Sequence, residues 1–403
     1  PLSLVGSEMC IRDSYKREIS VDVLRIMFPY LALISLVAFA GGIQNTHNRF
    51  SLPAFTPLIF NACLIFAALI IAPKYDIPIY VLAWGVLTAG FVQLVIQLFP
   101  LKQIDRLPIP KFDLNNQGTR KVFKLIIPAI LAGGIMQINL LIDTIFASLL
   151  QTGSPTWLYV SDRLIQFPMG IFAIAIGTVL LPTLSKIDIS KDINGFIDIV
   201  KKGQRFVLFI GIPSFIGLAL CSTDILSTIF LRGEFKAYDV NQASLSLIAF
   251  SFGLPFFMLM KVLTPAFFAR KDTKTPMYIA LLSLFLNAFL NYILAFVLNY
   301  GHVGIAIGSS ISAFVSVIIL ELILVQQGIV NLYNPFNRFN FSILVPSLVI
   351  IAFLIFLSEH ISFLQLSMIN KILVLFLKVF ISIGIYLSLS RLIYGKPLKE
   401  IFN

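Results

Sequence analysis

Eleven apolar stretches of about nineteen residues or more fill almost all of this 403-residue chain, and that feature excludes most ways a polypeptide can fold. They run over 23–45, 54–72, 78–99, 123–150, 158–184, 205–225, 241–267, 276–298, 303–327, 340–358 and 366–392. As helices, at about 1.5 Å per residue, each can cross a hydrocarbon layer of about 30 Å. No water satisfies backbone N–H and C=O groups inside a bilayer, so only helices and closed barrels span it, and barrels need short alternating segments instead. The sequence therefore predicts an all-α, polytopic membrane helical bundle, with 58% apolar and 12% charged residues.

Basic residues then set orientation. Numbering the stretches in order, the loops after the first, third, fifth, seventh and ninth, with the C-terminal tail, hold 19 of the 30 Lys and Arg residues, among them Arg49, Lys102, Arg106, Lys111, Lys186, Arg270, Lys271, Lys274, Arg338 and Arg391. The opposite side holds Lys74, Arg232, Lys236 and Lys371 between spans. Such a bias predicts that the first set, and with it the C-terminus, is cytoplasmic. The formal charge of +11 is then a topology signal with attraction to anionic headgroups, and nucleic acid is not needed to explain it.

The start of the chain fits poorly. Pro1 to Ser14 has neither the charge pattern nor the cleavage site of a signal peptide. An odd number of spans with the C-terminus inside would put Arg12, Lys16, Arg17 and Arg25 outside, against the charge rule. The expectation is an upstream portion with an odd number of spans. Further on, Pro100 to Lys121, with Pro108, Pro110 and the run Asn115 to Gly118, reads as an inward linker. Lys186 to Arg205 reads as a short surface helix. Phe28-Pro29-Tyr30 with the polar turn Asn45 to Arg49 is echoed six spans later by Leu254-Pro255-Phe256 and Ala269 to Asp272, as two parallel six-helix lobes would produce.

Function is expected at the few ionisable groups below the membrane surface. Asp143 lies roughly 12 Å below the outer turn 151–157, and Asp162 and Arg163 roughly 8–9 Å below it on the next span, so all three can face one another. Asn139 and Gln137 add polarity to the fourth span, and Gln166 follows Asp162 at helical spacing. One reading is a wall of an aqueous cavity where an arginine grips phosphate with its fork of donors. The other is an Asp-Arg pair that fixes two helices. Asn45 and Arg49 form the first inward turn, where Arg49 is either an orientation charge or a contact for an anionic substrate. Glu321 is expected to be paired or titratable, and Lys378 either pairs across helices or lies a turn off the expected depth. Cys10, Cys63 and Cys221 are too scattered for a disulfide scaffold, the three His fall at different span edges, and no phosphate-binding Gly-rich loop occurs, so no cofactor, metal or nucleotide chemistry is implied.

Several strings resemble the MurJ/MviN family of lipid II flippases: Gly42 to Pro57, Asp143 to Ser148, Ser161 to Pro168, Gly177 to Pro182, and Lys261 through Pro265 to Pro276. That resemblance implies fourteen helices in the family, two pseudo-repeated six-helix lobes plus two C-terminal helices, with the first lobe incomplete in this chain. The expected division is 1–19, a poorly matched flank; 20–119, three helices of the first lobe and the linker; 120–330, the second lobe; and 331–403, the two appended helices and tail. It further implies a monomer in the bacterial cytoplasmic membrane that moves an undecaprenyl-pyrophosphate-linked peptidoglycan precursor outward, with membrane lipids as other partners and the coupling ion open. A groove beside the last two helices would guide the lipid tail. The implied substrate residues are Arg163, Asp162, Gln166, Asn139, Asp143, Asn45 and Arg49. Gln166 departs from a Glu expected there, which weakens a proton or cation role. The cavity arginines of the first two family helices have no counterpart, so this polypeptide is not expected to complete a transport cycle alone. Competing readings are an exporter of another oligosaccharide-lipid or an amphipathic cation, a membrane enzyme using Asp143 or Asp162, and a nontransporting scaffold.

Overall fold

A computed structural model describes residues 17–47, 49, 51–103, 134, 137–187, 192–329, 338–361, 363 and 366–394. Among them there is helix and no strand, and ten helices are long and apolar enough to cross a membrane. We number the helices α1 Arg17–Asn45, α2 Ser51–Lys74, α3 Pro78–Gln103, α4 137–148, α5 Ser154–Ser185, α6 Ile193–Leu220, α7 Ser222–Ile229, α8 Ala237–Ala269, α9 Lys274–Val297, α10 Gly301–Gln326, α11 Phe339–His360 and α12 Met368–Tyr394. The expected fourth span, 123–150, is described only in its second half. The flank 1–16, the linker prolines Pro108 and Pro110 and the run 115–118 lie outside the described residues, as do the expected borders 119/120 and 330/331.

Two compact units divide the chain, one ending at Asn116 and one starting at Gln117. In the first, α3 packs against both α1 and α2. Apolar side chains cannot drive this association in lipid, so polar bonds between helices count for more. Gln44 on α1 donates to the Gln97 side chain at 2.5 Å, Gln97 donates to Thr56 Oγ1 on α2 at 2.7 Å, and Gln93 donates to the Thr56 carbonyl at 2.8 Å. All four residues are buried.

In the second unit α8 is central, packed by α5, α6, α7 and α10. Its buried face, including Leu254, Met258, Val262, Leu263 and Phe267, meets Trp157 and Ile165 of α5, Val200 and Val207 of α6, and Val317 and Leu320 of α10. Small residues let the backbones approach: Ser310 of α10 donates to the Ala249 carbonyl of α8 at 2.8 Å. The closest approach is at Gly304, where an added Cβ would stand 2.6 Å from the Leu294 carbonyl carbon and 2.7 Å from the Ala295 nitrogen. Backbone cannot swing aside as a side chain can. Gly304→Ala should therefore cost about 1–3 kcal/mol through overpacking, read as a lower thermal unfolding midpoint in detergent. Gly384→Ala, where a Cβ meets nothing within 4 Å, should stay within about 0.5 kcal/mol of the parent or gain stability. Equal midpoints for the two variants would refute the account.

The short surface helix expected over Lys186 to Arg205 is corrected. From Ile193 this segment is the start of the continuous helix α6, capped by Asp192, whose carboxylate accepts the Gly195 N–H at 2.8 Å. Charges in its first turns stay solvated, with Lys202 and Asp198 paired one turn apart at 3.0 Å, so the helix runs on past the apolar layer. The last two helices, α11 and α12, pair with each other, and α11 lies on α6. Phe339, Ile343, Ile350 and Leu354 pack there with Phe209 and Ile216, and the Tyr386 hydroxyl of α12 donates to the Phe209 carbonyl at 2.8 Å.

Candidate functional site

The turn before α5 is held hard. Gly153 has φ +107°, a left-handed conformation, and a Cβ there would stand 2.6 Å from the Trp157 ring. Trp157 is buried, donates its indole N–H to Asp239 at 2.9 Å, and packs on Tyr238 and His302. This anchor sets the rotation of α5 and presents Asp162, Arg163 and Gln166 together. Just beyond them Pro168, lacking an N–H, precedes a π-helical stretch, Met169–Ile174.

Asp162 and Arg163 do not pair directly, because consecutive residues on a helix diverge by about 100°. Gln166 joins them instead: its Nε2 donates to Asp162 Oδ2 at 2.5 Å and its Oε1 accepts from Arg163 Nη1 at 3.1 Å. Arg163 is exposed, and its guanidinium lies 4.8 Å from the Tyr159 ring centre. An amide suits this position, since it can donate to one neighbour and accept from the other where a carboxylate can only accept.

Asp143 on α4 is half-buried, and its hydrogen bond goes to α9. Asn291 of α9 donates to Asp143 Oδ1 at 2.6 Å and to Asn287 Oδ1 at 3.0 Å, and Asn287 donates to Ser309 of α10 at 3.0 Å. Asn287, Asn291 and Ser309 escaped sequence reasoning; two asparagines one turn apart in the apolar run 279–297 were the available signal. These bonds tie α4, α9 and α10 together through a chain of amide donors. Among the described residues no three His, Cys, Asp or Glu side chains gather as a metal site. Asn139 is half-buried, and its Oδ1 is buried without a hydrogen-bond partner among the described residues.

Asn45 and Arg49 belong to the first unit. Asn45 lines a cavity of about 500 Å³ with Tyr30, Pro53, Pro57, Asn61 and Gln93, all from α1 to α3. Arg49 Nη1 donates to Gln103 Oε1 at the end of α3, 3.0 Å away. Glu321 accepts from Gln204 of α6 at 2.7 Å, which makes it a hydrogen-bonded acid between helices.

Fold and site together define a polytopic helical membrane protein with charged and amide side chains set at membrane depth. A family model described as "Lipid II flippase MurJ" matches residues 3–383. The chain belongs to that family. It is 42% identical over 317 residues to the "Probable lipid II flippase MurJ" of Vibrio cholerae serotype O1, covering 79% of this chain and 60% of that protein. With the protein of the same name from Haemophilus influenzae it shares 40% identity, covering 76% of this chain and 61% of that one. The Buchnera aphidicola subsp. Acyrthosiphon pisum protein is 36% identical, at 93% and 73% coverage. The chain thus spans about three-fifths of the length of the first two relatives. A solved structure titled "Lipid II flippase MurJ, inward closed conformation" superposes with a TM-score of 0.76 at 28% identity, covering 93% of this chain and 74% of that one.

Proposed function

We propose that this chain forms the larger part of a lipid II flippase of the bacterial cytoplasmic membrane, which carries an undecaprenyl-pyrophosphate-linked disaccharide-peptide from the inner to the outer leaflet by alternating access, with the chain's C-terminus cytoplasmic. Family membership supports the substrate class, and one observation carries the site: Arg163 stands exposed at membrane depth with a neutral amide and an aromatic ring as neighbours. A guanidinium so placed keeps its charge and most of its fork for a pyrophosphate. The polyisoprenyl tail never has to leave hydrocarbon, so only the headgroup needs a polar route. A potential positive outside helps a doubly negative group outward by about 2.3 kcal/mol per charge per 100 mV.

The test is leaflet transfer. Vesicles containing the protein together with the helices that its relatives carry upstream, and a fluorescent lipid-linked precursor, should show, on energising with outside-positive potential, rising accessibility of the label to an impermeant quencher, with the precursor chemically unchanged. Unaltered asymmetry would overturn the proposal, and a cleaved precursor would support an enzyme instead.

A further inference from the structure

Arg49 and Arg270 occupy matching places. Arg49 lies between α1 and α2 and donates to Gln103, the last residue of α3. Arg270 lies between α8 and α9 and donates through Nη1 to Gln327, which caps the end of α10. In each trio the middle helix carries a π-helical stretch near its end, Ala67–Ile71 on α2, followed by the 3-10 turn Ala72–Lys74, and Ile293–Val297 on α9. A turn arginine clamped by a glutamine from the third helix therefore recurs, together with a rare local conformation.

The identity of the acceptor is informative. A clamp that served packing alone would gain from a carboxylate, because charge-assisted bonds to arginine are roughly twice as strong as neutral ones. An amide holds the guanidinium in place without neutralising its charge. Between Asp22 and Asp105 the only acidic residue is Asp76, far along the chain from the Arg49 turn. At the second turn Asp272 accepts from the Lys274 and Thr275 N–H groups and from the Thr275 hydroxyl. Those Thr275 bonds, with a smaller contribution from the charge of Arg270, hold its carboxyl below the usual carboxylate range, so it remains ionised, its hydrogen bonds spent on starting α9. Exposed Lys271, at φ +63°, and exposed Lys274 add positive charge beside Arg270. Neither arginine donates from Nε or Nη2 to any described residue.

We propose that the two Arg–Gln clamps are equivalent phosphate-binding sites at the same membrane face, each offering the free edge of a guanidinium to the phosphate oxygens of a lipid headgroup. This rests on the topology of the proposed flippase, in which both turns face the cytoplasm. The phosphate belongs either to a bulk anionic phospholipid or to the precursor's pyrophosphate, and the two sources are separable.

Substitution by glutamate discriminates between a packing clamp and an anion site, because the two respond with opposite signs. The protein in nanodiscs of phosphatidylcholine doped with phosphatidylglycerol, or with undecaprenyl pyrophosphate, should retain fewer anionic lipids as Gln103→Glu or Gln327→Glu, by at least about fivefold for the pair. The thermal midpoint should hold or rise. Gln103→Leu should keep lipid retention while lowering the midpoint. Selective loss of one doped lipid identifies the source and supports the site either way. Undiminished retention of both lipids by the double glutamate variant overturns the proposal. Phosphatidylglycerol retention does not depend on transport, so a failed leaflet-transfer assay would leave this result standing.

Discussion

Asp224→Leu is expected to be the most destabilising single substitution in this protein, with Lys378→Met close behind. The Lys378 ammonium lies 2.6 Å from the Asp224 carboxylate, with the two side chains 3% and 14% exposed, and 5.3 Å from the Phe363 ring centre. Removing one member of a buried pair leaves the other charge without compensation, which costs about 3–5 kcal/mol. The two losses differ in size. Asp224 sits in the first turn of α7, where the helix dipole favours a negative charge, so the carboxylate left by Lys378→Met keeps some stabilisation. Among the described residues the lysine left by Asp224→Leu keeps only the ring. Replacing both by apolar residues should recover most of the loss, since a well-packed apolar substitute is often neutral or better. Thermal unfolding of the four proteins in one detergent measures this. Single variants within 1 kcal/mol of the parent, an order-of-magnitude threshold, would mean that water or another group compensates the survivor.

Arg163→Ala should lower retention of the pyrophosphate-linked precursor by about ten- to a hundredfold, the equivalent of losing charge-assisted bonds worth about 1.5–3 kcal/mol. Arg163→Lys should recover only part, because an ammonium keeps the charge but loses the planar fork. Gln166→Glu is the sharper probe: it keeps the side-chain shape, pairs the guanidinium and sets a second carboxylate one turn from Asp162. It should also weaken retention, and because the new carboxylate can no longer donate to half-buried Asp162 it should lower the unfolding midpoint by the loss of a bond worth about 1.5–3 kcal/mol. If Arg163→Ala retained the precursor at the parent's level, the pyrophosphate would have to be gripped elsewhere.

Ten of the eleven expected spans are long apolar helices among the described residues, and their approximate limits were legible because the apolar runs are long and the polar breaks between them sharp; the fourth is described only in part. The start of α6 was not: its first turns carry Asp198, Lys201 and Lys202, and hydropathy cannot tell a helix that leaves the bilayer from a separate one. At the site, the spacing of Asp162, Arg163 and Gln166 on one helix was readable, whereas their bonding order was not. Neighbours in sequence invite a direct pair, and only the helical rotation shows that Gln166 must mediate it. Partners distant in the chain were beyond reach for a simpler reason. Asp224 is one acid among several near span ends, and nothing local marks it as the answer to Lys378, 154 positions later. Asn291 is likewise separated from Asp143 by 148 positions.

The bond between Lys378 and Asp224 couples α12 to the short helix α7 inside the second unit, and Tyr386 couples it again to α6. Any tilt of that unit during a working cycle must therefore carry the terminal hairpin along as a passenger. A lipid chain resting against its outer surface would be swept by a moving wall, not guided along a stationary rail.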